Sequence, residues 1–181
     1  FKMNISDIKA IVTGGSSGIG FEIAKQLKMQ GAKVLITGRD ENKLKKAASE
    51  IDVLYAVADA SNESDVIKAF EYANSMMKGY NVLINNAAYG SFGLLKDQNT
   101  QVFEQLIATN VTGAMIAGRE AAKHFIENNF GNIINISSTA GNAGFAGGTA
   151  YVASKFALKG MTECWRAELR KSNIRVMLVN P

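Results

Sequence analysis

The sequence TGGSSGIG, residues 13–20, connects an apolar run at 8–12 to a segment with helical spacing that begins at Ile19. A glycine-rich turn from a strand into a helix lets a ligand lie against backbone N–H groups at the positive end of the helix dipole. The turn could also be a tight connection that binds nothing. Its position after the first strand of the chain favours a site for a dinucleotide pyrophosphate.

The glycines of this turn have separable roles in such a site. Gly14 makes the turn, Gly18 lets the ligand approach the backbone, and Gly20 allows the helix to pack closely on the strand. The spacing G-x-x-x-G-x-G differs from the more familiar G-x-G-x-x-G, and either pattern alone is a weak signal. The cofactor-binding residues that we expect from this turn are Gly14, Ser16, Ser17, Gly18, Ile19 and Gly20.

The same strand-to-helix alternation continues to the end of the chain. Apolar, β-type runs occur at 8–13, 33–37, 53–58, 82–85, 132–137 and 174–179. Segments with helical spacing occur at 19–30, 42–50, 63–78, within 100–128, and at 151–171. Strands too apolar to have a solvated face, joined by amphipathic helices, predict a parallel sheet covered on both sides. Residues 1–181 are therefore expected to form one doubly wound α/β domain of the Rossmann type.

Composition excludes several classes of protein. The 181 residues are 47% hydrophobic and 20% charged, with a formal net charge of +4, which suits one domain with a sizeable core. The basic residues are dispersed, so we expect no nucleic-acid partner. No apolar stretch is long enough to span a membrane, and no secretory signal is apparent, so we expect a cytoplasmic protein. A single cysteine, Cys164, and the absence of metal-ligand spacing predict neither a disulfide nor a metal site.

A second constellation lies in NISSTAGNAGFAGGTAYVASK, residues 135–155. Tyr151 and Lys155 are four residues apart on a predicted helix, so their side chains should be neighbours. A nearby ammonium favours the phenolate, and a tyrosine so placed can exchange protons near neutral pH. Ser138 follows a predicted strand, where its hydroxyl could hold a carbonyl oxygen. Taken alone, the Tyr–Lys spacing favours an ordinary surface pair of a helix.

The chain as a whole resembles the short-chain dehydrogenase/reductase family. The motifs that carry the resemblance are TGGSSGIG at 13–20, NNAA at 85–88, ATNVTG around Asn110, INISS at 134–138, YVASK at 151–155 and RVMLVNP at 175–181. By this resemblance Tyr151 is the catalytic acid and Ser138 orients the carbonyl. Lys155 supports the tyrosine and binds the nicotinamide ribose, while Asn110 holds a water that relays protons to the lysine.

The resemblance also implies how the rest of the cofactor is held and how the chain assembles. It places cofactor contacts at Asp59, Ala60, Asn86 and Ala87, and it gives Asn85 a supporting role in the sheet. It implies that the helices within 100–128 and 151–171 pair across a two-fold axis, so a homodimer or homotetramer is expected.

Two departures from the family pattern matter. Ala88 replaces the glycine of the usual NNAG, and a methyl group should require only a slight backbone adjustment. The sequence ends at Pro181, where the family continues with a loop over the nicotinamide, a helical lid and a seventh strand. We therefore expect several tens of further residues, and a fold over 1–181 without the lid and the seventh strand.

The end of the second strand bears on the choice between NAD and NADP. Relatives that use NAD usually carry an aspartate at the position of Gly38, whereas here Arg39 follows directly and could hold a 2′-phosphate. Asp40 could be mistaken for the ribose-binding acid, but we interpret it as the cap of the second helix. These residues predict NADP as the cofactor, unless Arg39 is a solvated loop residue and either cofactor serves.

Several functions are compatible with these residues. The leading hypothesis is an NADPH-dependent ketoreductase of fatty acid biosynthesis that acts on 3-oxoacyl groups of acyl carrier protein. A sugar-alcohol or hydroxysteroid dehydrogenase is the alternative among enzymes. A non-catalytic NADP(H) sensor or scaffold is the alternative outside them, although such proteins tend to lose the tyrosine or the lysine that this chain keeps.

Overall fold

A computed structural model describes residues 4–181. The six strands are β1 (Lys9–Val12), β2 (Lys33–Gly38), β3 (Leu54–Val57), β4 (Val82–Asn85), β5 (Gly131–Ile136) and β6 (Ile174–Val179). The helices are α1 (Gly18–Met29), α2 (Glu41–Ile51), α3 (Glu63–Met77), α4 (Thr100–Ile107), α5 (Ala114–Glu127) and α6 (Thr149–Leu169).

All six strands form one parallel sheet in the order β3-β2-β1-β4-β5-β6. The order reverses between β1 and β4, because the chain builds outward from β1 to β3 and then returns to the other side of β1. The predicted doubly wound parallel sheet is confirmed. In such sheets a ligand-binding crevice lies at the carboxyl ends of the strands, where the order reverses.

Alternate residues of each strand pack on opposite faces of the sheet. Ile11 and Leu83 belong to one buried cluster with Phe70 of α3 and Phe125 of α5. Their neighbours in the strands belong to a second cluster with the helices α1 and α2; its members include Val12, Ile36, Ile84, Ala24 and Leu44. Burial on both faces is why these strands are almost entirely apolar.

The long helix that the sequence predicts within 100–128 is not uniform. After α4, residues 108–113 form a single π-helical stretch, which leads directly into α5. Wider turns of this kind interrupt the regular hydrogen-bond ladder of a helix and are frequent at functional sites. Asn110 lies in the middle of this stretch.

A chain of buried polar side chains links β4, β5 and α6. The amide of Asn85 donates to Asn135 Oδ1 at 3.0 Å, and the amide of Asn135 donates to Thr162 Oγ1 at 2.8 Å. Thr162 in turn donates to the carbonyl of Leu158 at 2.7 Å. Each of these polar groups is buried and has a partner, which fixes α6 against the sheet.

Asp40 has the place that the sequence predicts for it. It is the N-terminal cap of α2, and its carboxylate accepts a hydrogen bond of 3.0 Å from the backbone N–H of Lys43. Across residues 4–181, no helix combines the length and the apolar character needed to cross a bilayer.

Candidate active site

A cleft of about 460 Å³ opens at the carboxyl ends of β1, β2, β4 and β5. It brings together most of the site residues that the sequence indicates. Those in its lining are Gly14, Ser16, Ser17, Gly18, Ile19, Arg39, Asp59, Ala60, Asn86, Ala87, Tyr151 and Lys155. Gly20, Asn110 and Ser138 are not part of the lining.

Two glycines of the first turn are required for different reasons. Gly18 has φ +57°, and a Cβ added there would meet nothing within 4 Å, so its backbone borders open space in the cleft. A Cβ on Gly20 would come within 2.4 Å of the Asn86 amide nitrogen and 2.5 Å of the Gly14 carbonyl oxygen. Gly20 therefore allows α1 to pack closely against Asn86 and Gly14, whereas Gly18 is placed for close approach of a ligand.

The end of β1 is tied to the end of β4 through Thr13. Its hydroxyl accepts hydrogen bonds of 3.0 Å from the backbone N–H groups of Asn86 and Ala87. The Asn86 amide returns two bonds of 3.0 Å, to the carbonyls of Thr13 and Gly14. The glycine turn and the segment after β4 consequently form one rigid floor.

One end of the cleft carries opposite charges. Asp59 is partly buried, which opposes ionisation, but hydrogen bonds from the Ser61 hydroxyl and backbone N–H and the charge of Arg39 hold the pKa of its carboxyl below the usual range. Arg39 itself is exposed at the end of β2. A Cβ at Gly38 would lie 3.4 Å from Ser16 Oγ, so a side chain there would project toward the serine of the glycine turn.

Tyr151 and Lys155 lie at the other end of the cleft, on the first turns of α6. Lys155 Nζ is 5.6 Å from the centroid of the tyrosine ring and donates a hydrogen bond of 2.9 Å to the carbonyl of Ile136. The lysine is only 4% exposed, and this burial lowers the pKa of its ammonium to about 8. The ammonium is therefore poised to exchange a proton close to neutral pH.

Asn110 does not line the cleft, but its side chain bonds to Tyr89, which does. Its side chain accepts from the N–H of Tyr89 at 3.0 Å and donates to the carbonyl of the same residue at 2.9 Å. It also donates to Ser154 Oγ at 3.1 Å. The side chain is thus fully used in holding the loop after β4 against α6, while Thr109 lines the cleft beside it.

The two serines after β5 differ in a way that the sequence does not indicate. Ser138 is half-buried, and its hydroxyl accepts from the N–H of Ala140 at 3.2 Å. Ser137 lines the cleft, is 5% exposed, and has a hydroxyl without a hydrogen-bond partner among residues 4–181. The alternation of side chains along a strand carries the signal, but it requires the register of β5.

Other lining residues were not assigned to the site from the sequence. Gly38, Ala88, Thr109 and Ile136 lie at positions or in motifs that the sequence singles out without indicating a contact, whereas Thr37, Ala58 and Tyr89 lie at or after the ends of strands and carry no motif of their own. Ala88 is not among the residues with positive φ, so its methyl group introduces no backbone strain.

The residues present fit a dinucleotide. The cleft runs from Arg39 to Tyr151, with the open backbone of Gly18 between them. A buried hydroxyl without a partner, as at Ser137, is costly unless a ligand satisfies it. The ionised Asp59 can accept a hydrogen bond from an adenine amino group.

Comparison with known proteins places this arrangement among oxidoreductases. A family profile described as short chain dehydrogenase matches residues 9–181. An uncharacterized oxidoreductase, YxnA, of Bacillus subtilis is 34% identical over 98% of this chain and 52% of its own length. The 3-ketodihydrosphingosine reductase of Bos taurus is 34% identical over 94% of this chain and 54% of its own length. The chain thus spans about half the length of these two curated relatives.

A solved structure shares the fold as well as sequence. A protein proposed to be a betaketoacyl-ACP reductase superposes with a TM-score of 0.88 at 36% identity, covering 95% of this chain and 71% of that one. The match extends over the cleft and over the sheet that supports it.

Proposed function

This chain belongs to the short-chain dehydrogenase family, and we propose that it is an NADPH-dependent reductase of carbonyl compounds. The observation that carries the proposal is the buried Lys155 beside Tyr151 at one end of a cleft whose other end carries Arg39. When bound, the nicotinamide supplies a hydride to the carbonyl carbon. Tyr151 gives its proton to the carbonyl oxygen, so that a ketone becomes an alcohol.

The surrounding residues support this proton transfer. Lys155 places its ammonium 5.6 Å from the centroid of the tyrosine ring, where its positive charge can interact with negative charge that develops during the transfer. Asn110 keeps α6 and the loop after β4 in a fixed relation, so we propose a positioning role for its side chain. Ser138 is proposed to orient the carbonyl: its hydroxyl oxygen accepts from the N–H of Ala140, and its own O–H can donate to the carbonyl oxygen of the substrate.

The substrate that we propose first is a 3-oxoacyl thioester of acyl carrier protein. Support comes from the structure proposed to be a betaketoacyl-ACP reductase and from the relative that reduces a 3-keto lipid base by name. The presence of both Tyr151 and Lys155 supports an enzyme over a cofactor sensor.

We also propose that the protein acts as a cytoplasmic homodimer or homotetramer. Val102 of α4, Met115 of α5 and Phe156 of α6 are apolar side chains exposed on neighbouring helices. Exposed apolar surface of this kind marks subunit interfaces.

Replacement of Tyr151 by phenylalanine tests the catalytic assignment. Tyr151→Phe keeps the ring and removes the transferable proton, so kcat with NADPH and a ketone should fall about 10²- to 10⁴-fold. NADPH binding, measured by its fluorescence, should be unchanged. Tyr72→Phe, on the exposed side of α3, is the matched control and should behave as the parent. A kcat of Tyr151→Phe within a few-fold of the parent would falsify the assignment.

Replacement of Arg39 tests the cofactor. A charge-assisted hydrogen bond to a 2′-phosphate contributes about 1.5–3 kcal/mol, so kcat/KM should favour NADPH over NADH by about 10- to 150-fold. Arg39→Ala should remove most of this preference and leave the NADH value nearly unchanged. Arg170→Ala, an exposed arginine after α6, is the control. Equal kcat/KM values for the two cofactors in the parent would contradict the NADPH proposal.

A further inference from the structure

Two phenylalanines continue the aromatic surface of Tyr151 out of the cleft. The ring of Phe92, in the loop after β4, meets the Tyr151 ring edge to face, with centroids 5.6 Å apart and planes at 62°. The ring of Phe145, in the loop before α6, is 6.1 Å from that of Phe92. We call Phe92 and Phe145 the aromatic wall.

Glycines of the same loops leave room for both rings. A Cβ on Gly90 would come within 2.8 Å of the Phe92 ring, and a Cβ on Gly148 within 2.6 Å of the Phe145 ring. Each ring therefore lies directly on the backbone of its own loop, and a larger residue at either glycine would require the ring to shift. The two loops are joined by a hydrogen bond of 2.9 Å from the N–H of Gly93 to the carbonyl of Gly147.

The aromatic wall is exposed although it is well positioned. Phe92 is 63% exposed and Phe145 is 52% exposed. The segments that carry them, residues 87–95 and 137–154, contain no Asp, Glu, Lys, Arg or His. The segments themselves carry no charged group to bind a carboxylate or phosphate, and the two lysines that contact this region are engaged: Lys155 with the carbonyl of Ile136 and Lys159 with the side chain of Asn142.

We propose that the aromatic wall receives an uncharged, apolar substituent of the ketone, an alkyl chain of several carbons or an aryl ring. The order of the rings sets the path of this substituent: Phe92 contacts the Tyr151 ring and Phe145 lies beside Phe92, so a chain that follows the rings from Tyr151 meets Phe92 before Phe145. Polyhydroxy ketones and ketones with a carboxylate beside the carbonyl gain nothing from this surface. The inference rests on the proposed function and specifies its substrate class.

A series of methyl ketones tests the aromatic wall. With NADPH, kcat/KM should rise from butan-2-one to octan-2-one by about two- to fourfold for each methylene that leaves water. Dihydroxyacetone and pyruvate should be poorer than any chain of five carbons or more. Without cofactor, saturation-transfer NMR should show the alkyl protons of octan-2-one receiving magnetisation from the protein, and those of dihydroxyacetone receiving little.

Substitutions in the aromatic wall test whether Phe92 and Phe145 cause the dependence of kcat/KM on chain length. Phe92→Ser and Phe145→Ser should flatten the chain-length slope, measured as the ratio of kcat/KM for octan-2-one to that for butan-2-one in each variant. Phe92→Leu keeps an apolar side chain and should preserve most of the slope. Met29→Ser removes an exposed apolar side chain at the end of α1, away from the aromatic wall and from the proposed subunit interface, and it should leave the slope intact.

The outcomes separate this inference from the proposed function. Turnover with a flat slope, or with dihydroxyacetone preferred, overturns the aromatic wall and leaves the reductase assignment standing. A slope that survives both serine variants also overturns the wall. No turnover of any carbonyl compound, with either cofactor, overturns the reductase assignment and the inference with it.

Discussion

The positive charge of the buried Lys155 destabilises the folded protein. Burial lowers the pKa of its ammonium from 10.5 to about 8. Between those values the native protein binds fewer protons than the unfolded chain, so its free energy of unfolding rises with pH across that window. Below pH 8 the buried ammonium lowers the free energy of unfolding by its full amount, on the order of 3 kcal/mol.

Replacement by an uncharged side chain of similar length should remove this cost. Lys155→Met is expected to unfold at a higher temperature than the parent at pH 7, with the difference shrinking toward pH 10, while turnover is lost at every pH. Thermal unfolding of the two proteins without cofactor from pH 7 to 10 measures the effect. A variant less stable than the parent at pH 7 would show that the hydrogen bond to Ile136 outweighs the burial of the charge.

Ser137 presents the opposite case, a neutral polar group without a partner. A buried, unsatisfied hydroxyl costs about 1–3 kcal/mol, so Ser137→Ala should leave the cofactor-free protein as stable as the parent or stabilise it by about 1 kcal/mol. Because a bound dinucleotide can satisfy the hydroxyl, the same variant should bind NADPH about 5- to 10-fold more weakly. Fluorescence titration measures this loss, with Ser49→Ala on the exposed side of α2 as control. Unchanged affinity would show that the ligand does not reach Ser137.

The sequence predicts some of these contacts better than others. The spacing of Tyr151 and Lys155 on one helix predicts their proximity, and the position of Asp40 before α2 predicts its capping bond, because both depend on local geometry. The unpaired hydroxyl of Ser137 depends on which of the two serines directly after β5 faces the cleft. Two adjacent serines give no local signal for that choice.

The helix that contains Asn110 shows how tertiary contacts override periodicity. The sequence predicts one long helix within 100–128, but the π-helical stretch at 108–113 interrupts it. The Asn110 side chain forms hydrogen bonds with the backbone N–H and carbonyl of Tyr89, which lies in the loop after β4. Periodicity in a window of sequence contains no information on such a partner, so the break was not predictable whereas the helix was.

The buried polar chain from β4 to α6 should be sensitive to a single truncation. Asn135→Ala leaves the amide of Asn85 with one acceptor fewer and Thr162 without its donor, which should cost about 1–3 kcal/mol. For a protein of this size that corresponds to a fall in Tm of about 2–10 °C. Differential scanning calorimetry checks the value, with Asn74→Ala on the exposed side of α3 as control. A Tm within 1 °C of the parent would mean that water replaces the lost group.

The molecule as a whole should be stabilised by the ligand that its cleft accepts. A ligand at 100 times its Kd adds about 2.7 kcal/mol to the free energy of unfolding, or about 5–10 °C in Tm for a protein of this size. Adenosine 2′,5′-bisphosphate, which carries the 2′-phosphate without nicotinamide, should raise the Tm of the parent and raise that of Arg39→Ala much less. AMP is the matched ligand without the 2′-phosphate. Equal shifts from both ligands would contradict the role of Arg39.

The strand order also determines when each neighbour of β1 can pair with it during synthesis of the protein. β1 can pair with β2 as soon as residue 38 is available, yet its other neighbour, β4, arrives much later; Thr13 and Ile84, which bond across that gap, are 71 residues apart. Until β4 arrives, the glycine turn has no Asn86 to support it. A ribosome-bound chain from which β4 has not yet emerged therefore has half of a cleft and an exposed edge on β1. Such edges are sites of misassembly in nascent chains. Here the edge of β1 stays exposed until β4 pairs with it and Asn86 reaches the glycine turn.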